Sequence, residues 1–150
     1  MERFKEGFSS HASAGTTGED PLRLATAAIL LEIAHADGSF SPAEDGDVVG
    51  FLKSAFTLDE ASVRELLKAA DEIRTHTIDH FALTNYIRKN APFDERLGIV
   101  KTMWRVAYAD GRLTDYENYL VRKLADLLGI EHHVMIDAKV DVLRERGATT

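Results

Sequence analysis

An all-α fold is predicted by three features of the sequence. Apolar residues recur at helical spacing along almost the whole chain, helix-capping signals precede the apolar runs, and the alternation and Asn-Gly turns of β-hairpins are missing. The reading is one domain, residues 20–146, folded as a bundle of about seven helices, behind a flexible N-terminal tail of residues 1–19. A chain of 150 residues can bury a core without staples, and the lack of cysteine excludes disulfides, thiolate metal sites and cysteine nucleophiles.

The tail ends in Ser9, Ser10, Gly15, Thr16, Thr17 and Gly18, too little apolar surface to fix itself. Asp20 then reads as an N-cap with Pro21 at the first helical position, where its missing N–H costs nothing. Helix one is expected from Pro21 to about Ala36; Leu22, Leu24, Ala25, Ile29, Leu31 and Ile33 surround its axis, as in a central helix. Ser41 and Glu44 form a capping box for helix two, which runs to about Ala55. Gly46 and Gly50 inside it imply either local looseness or close packing against a neighbour.

Asp59 caps helix three, whose stripe is Val63, Leu66, Leu67, Ala70 and Ile73. Thr77 reads as the cap of helix four, which carries Ile78, Phe81, Ala82, Tyr86 and Ile87 to Asn90. Pro92 or Asp94 starts helix five, where Leu97, Val100, Met103, Trp104 and Val106 again cover more than one face. Thr114 and Glu117 make a second capping box, helix six extends to Gly129, and a last helix spans about His132 to Arg144.

The chain repeats itself. Ala36-Asp37-Gly38-Ser39-Phe40-Ser41-Pro42-Ala43-Glu44 returns 73 residues later as Ala109-Asp110-Gly111-Arg112-Leu113-Thr114-Asp115-Tyr116-Glu117. Two helix–loop–helix units related by a pseudo-two-fold axis are the expected consequence. The same offset places Glu32 on Arg105, a charge within the most apolar stretch of each central helix. An interhelical pair between them is expected, with a place in the acidic site as the alternative.

Asp-Gly-x₅-Glu matches the second half of an EF-hand loop, including the closing glutamate. The first half fails, because its ligand positions fall on Ile33 and His35, and on Val106 and Tyr108. An ordinary calcium sensor is therefore not expected. Capping explains Glu44 and Glu117, and chain reversal explains Gly38 and Gly111. Asp37 and Asp110 differ, because a carboxylate past a helix C-terminus is disfavoured by about 0.3–1 kcal/mol. Each needs a compensating partner: the next helix's N–H groups, an arginine or a cation.

Other chemistry is thinner. His76 and His80 have the spacing of H-x-x-x-H but no third ligand, and His132-His133 read as solvated residues at a helix start. Trp104, Tyr108, Tyr116 and Tyr119 fit core and rim packing rather than a platform for bases. No G-x-S-x-G, P-loop or Rossmann pattern occurs. The four carboxylates leave a metal-dependent hydrolase as a remote reading, with no nucleophile or substrate pocket legible.

Acidic residues outnumber basic ones 25 to 18, a formal charge of −7, which disfavours nucleic acid and anionic membranes and favours cations or basic protein surfaces. The apolar run from Leu24 to Leu31 falls short of the ~20 residues that span a bilayer, so no direct membrane insertion is expected. Met1-Glu2-Arg3-Phe4-Lys5-Glu6 does not read as a secretory signal, and a cytoplasmic protein of unspecified oligomeric state is the expectation.

The doubled loop, with Leu31-Glu32-Ile33-Ala34-His35-Ala36-Asp37-Gly38 and Trp104-Arg105-Val106-Ala107-Tyr108-Ala109-Asp110-Gly111 leading into it, resembles the tellurite-resistance TerB family. That group extends to the TerB-like domain of some membrane-anchored J-domain co-chaperones. The resemblance runs from about Leu22 to Val142. It implies a helical bundle with internal two-fold pseudo-symmetry and a clustered acidic surface, associated with resistance to tellurite and other stresses. It also implies divalent metal binding (calcium, magnesium or manganese), or a scaffold role in larger, often membrane-associated complexes, and no enzymatic activity. The acidic positions carried over are Asp37, Glu44, Asp110 and Glu117. The rival is a pure protein-interaction scaffold whose loops are structural and hold no metal.

Overall fold

Among the described residues seven α-helices form where caps and apolar runs place them: α1 (Pro21–Ala34), α2 (Pro42–Phe56), α3 (Glu60–Thr75), α4 (His80–Asn90), α5 (Phe93–Ala107), α6 (Asp115–Leu127) and α7 (His132–Glu145). The computed structural model describes residues 20–147 apart from 37, 39, 77, 78, 110 and 112, and those described residues contain no strand. The tail expected for residues 1–19 lies outside them.

The N-termini follow side-chain chemistry. Asp20, Ser41, Asp59, Asp79 and Thr114 each accept a hydrogen bond from a backbone N–H in the first turn of the helix they precede. The start of α4 corrects the sequence reading: the cap is Asp79, whose Oδ1 accepts from Ala82 N at 2.7 Å, rather than Thr77, which lies outside the described residues. Two caps in competition resolve toward the carboxylate, the stronger acceptor. Pro92 precedes α5 without a side-chain cap bond. At the C-termini, Gly129 takes the left-handed conformation beyond α6 as expected. The turn after α2 is made by Thr57 at φ 53°, which no glycine in the sequence announces.

Helices α1 and α5 form the interior. Leu24 through Leu31, Ile33 and Ala34 are all buried on α1, as are Ile99, Val100, Met103, Trp104, Val106 and Ala107 on α5. Helix α1 packs against α3, α4 and α5, and α5 against α2 and α7. These contacts do not establish the pseudo-two-fold arrangement. Helix α2 lies broadly along α5, whereas α6 meets α1 only briefly and packs instead on α4 and α5. No described helix is long and apolar enough to cross a membrane.

Gly46 and Gly50 are exposed, and a Cβ built on either meets no atom within 4 Å. Close packing is therefore not their role, and each only weakens α2. Gly46→Ala and Gly50→Ala should each raise stability by about 1 kcal/mol. Chemical denaturation of the single variants checks this, and an unchanged or lowered midpoint would contradict it.

Candidate functional site

Both repeated loops are built by the same local devices. After α1, Ala36 N donates to Ile33 O at 3.1 Å and Gly38 N to His35 O at 3.0 Å; after α5, Ala109 N donates to Val106 O at 3.2 Å and Gly111 N to Tyr108 O at 2.9 Å. Gly38 and Gly111 then turn the chain at φ 87° and 97°, conformations strained for any L side chain. Phe40 and Leu113, two residues further on, pack partly buried against the core and anchor each loop. The His35 and Phe40 rings lie 5.1 Å apart.

Each loop ends in a complete capping box. Ser41 N donates to Glu44 Oε1 at 2.7 Å while Glu44 N donates to Ser41 Oγ at 3.2 Å. In the second copy Thr114 N donates to Glu117 Oε1 at 3.0 Å and Glu117 N to Thr114 Oγ1 at 3.1 Å. Both glutamates are buried, unusual for a cap residue that solvent ordinarily covers. Glu117 is only 1 % exposed, and its Oε2 has no hydrogen-bond partner among the described residues. A buried carboxylate oxygen left in this way is costly unless something cationic or protic meets it.

Asp47, in the first half of α2, feels the charge of Arg105 at the end of α5 and those of Glu145, the last residue of α7, and Arg146 just beyond it. Burial pushes the Asp47 carboxyl above its ordinary value, Arg105 and Arg146 oppose this, and Glu145 adds to it.

Glu32 and Arg105 do not pair with each other. Glu32 Oε1 accepts from Arg74 Nη1 at 3.2 Å and its Oε2 from His80 Nε2 at 2.8 Å, tying α1 to α3 and α4. Arg105 holds Glu145 of α7 through two bonds of 2.9 Å. That contact raises the guanidinium above its ordinary value against the effect of burial, and holds the Glu145 carboxyl below its own. Glu32 is thus held by the end of α3 and the start of α4, and Arg105 by the end of α7, so the pairing expected between the two is superseded by other groups. The His76–His80 spacing makes no metal site: His80 Nε2 is taken by Glu32, and His76 Nδ1 lies 2.6 Å from Glu72 O.

Of the four acidic positions singled out in the sequence, Glu44 and Glu117 are the capping glutamates just described, and Asp37 and Asp110 lie outside the described residues. Among the described residues no group of three or more His, Cys, Asp or Glu side chains could hold a metal ion. The EF-hand comparison fails structurally as well, since Ile33 and Val106 are fully buried helix residues. The Glu117 Oε2 is a hard oxygen atom left without a hydrogen-bond partner among the described residues.

Sequence reasoning missed the Glu32 partners, although Arg74 directly follows the buried Ile73 and so borders the apolar stripe of α3. It also missed that Tyr116 and Tyr119 stand largely in solvent rather than at a packed rim.

Comparison with curated proteins and with solved structures gave no match. The family described as tellurite resistance protein TerB matches residues 23–140, which takes in both loops, both capping boxes, all of α2 to α6 and most of α1 and α7. With most of its length covered, the chain belongs to the TerB family.

Proposed function

We propose that this TerB-family chain is a non-enzymatic, cytoplasmic stress-response module of the tellurite-resistance type. Its two acidic loops bind a divalent cation and present a basic or membrane-associated protein partner with a carboxylate-rich end of the bundle. The observation that carries this reading is Glu117, fully buried with Oε2 unpartnered among the described residues. A cation shared with Asp110 offsets that desolvation and the awkward position of an aspartate past a helix C-terminus. Asp37 and Glu44 are the corresponding donors of the first loop. Calcium, magnesium and manganese all suit such hard oxygen donors.

Calorimetric titration of the three metals tests the cation. Wild-type protein should give a binding isotherm that is lost in Asp37→Asn/Asp110→Asn and weakened at least tenfold in Glu117→Gln, which keeps an oxygen to accept from Thr114 N. Flat wild-type traces up to about millimolar metal would remove the cation from the proposal.

The completeness of both capping boxes favours a second reading, a protein-interaction scaffold with purely structural loops. On that reading Asp37→Asn/Asp110→Asn lowers the melting temperature equally with and without metal.

A further inference from the structure

Among the described residues, no helix covers the outer face of α6. Asp115, Tyr116, Tyr119, Arg122, Lys123 and Asp126 are all exposed, with Tyr116 at 53 % and Tyr119 at 57 %, and the two tyrosine rings lie 6.4 Å apart. Residues 116, 119, 123 and 127 fall on one side of a helix. One turn beyond Tyr119 the stripe opens into a shallow cleft of about 480 Å³ between α4 and α6, lined by Asp79, His80, Phe81, Lys123 and Leu127. Phe81 is itself 54 % exposed. Aromatic side chains left in solvent along one continuous face mark an interaction surface more often than chance.

We infer that this face binds a second copy of the chain, with α6 pairing antiparallel to α6 of the partner about a two-fold axis at Tyr119. The charges select this occupant. A surface of net charge −7 repels another copy over most orientations, but the α6 stripe carries both signs in a self-complementary order. Asp115 stands four residues before Tyr119 and Lys123 four after, so an antiparallel pair centred there sets each aspartate opposite the other copy's lysine. Tyr116 and Arg122, three residues to either side, meet in the same way as ring and guanidinium. Leu127 and Phe81 extend the apolar area toward the ends of the paired helices.

The area points to modest affinity. Three half-exposed aromatic residues offer roughly 100 Å² each. With the flanking side chains, each copy contributes about 600 Å², near the lower limit for a stable interface. A reversible dimer with a dissociation constant in the micromolar to sub-millimolar range is expected. The contact leaves Glu117 untouched, since that side chain points into the bundle, so it stands independently of any cation at the loops.

Sedimentation velocity on the full chain from about 1 μM to about 1 mM should show a monomer–dimer equilibrium within that range. Tyr119→Glu should weaken it more than tenfold with an unchanged helical spectrum. Lys123→Asp should weaken it too, and Asp115→Lys combined with Lys123→Asp should restore it, a recovery that only the proposed register produces. A monomer at every concentration overturns the proposal, whether the face stays bare or is covered by residues 1–19. So does a dimer that survives Tyr119→Glu, or a double swap that fails to recover while both single variants remain folded.

Discussion

Replacing Trp104 with alanine should lower the free energy of unfolding by about 3–5 kcal/mol, the largest loss expected from any single substitution in this chain. Trp104 is completely buried on α5, the helix that contacts α1, α2, α6 and α7. Its indole N–H donates to Met135 O at 3.2 Å, fixing the α5–α7 contact, and the Lys139 ammonium lies 5.2 Å from the ring centre. Alanine would leave a cavity at a crossing of several helices, where no single helix can move inward without losing contacts elsewhere. Trp104→Phe keeps much of the volume and forfeits the hydrogen bond, so about 1–2 kcal/mol should separate it from wild type. The Tyr108 ring, 6.4 Å from Trp104, connects this loss to the second loop. Urea denaturation reads the stability, and a Trp104→Ala cost below about 1 kcal/mol would mean the site collapses freely, against the close packing of the interior.

Features set by neighbours along the chain were legible in the sequence. Ser41 with Glu44 and Thr114 with Glu117 are capping boxes because three residues of separation settle the geometry, and Gly38 and Gly111 turn the chain for reasons local to the backbone. The central positions of α1 and α5 were equally legible, since apolar residues all round a helix have nowhere else to go. Features set by contacts between helices were not. The partners of Glu32 lie 42 and 48 residues away, and periodicity alone does not choose between Arg74, His80 and Arg105. Tyr116 and Tyr119 resemble core aromatics by spacing, and they stand in solvent because none of the described helices packs over the outer face of α6. At the candidate site the sequence identified Glu117 as a cap but could not reveal that its second oxygen is buried without a partner, because that depends on what closes over the helix start.

Glu32→Ala should cost about 2 kcal/mol, roughly half the loss on breaking a fully buried ion pair, because the side chains of Glu32, Arg74 and His80 each keep about a fifth of their surface in water. The carboxylate joins α1, α3 and α4 at one point, and α1 is buried and largely apolar from Leu24 to Leu31. Without it Arg74 retains Asp71, at 2.9 Å, while His80 loses its carboxylate partner and α4 loses a tether beside its N-cap. The mirror-image change, Arg105→Ala, should cost less than about 1 kcal/mol, since the Arg105 side chain is a third exposed and that of Glu145 about half. A double-mutant cycle makes the comparison sharp. Glu32 and Arg74 should couple by about 1 kcal/mol or more, whereas Glu32 and Arg105 should be additive within experimental error. Strong coupling between Glu32 and Arg105 would contradict these pairings, and with them the conclusion that α1 and α5 are secured by separate polar contacts.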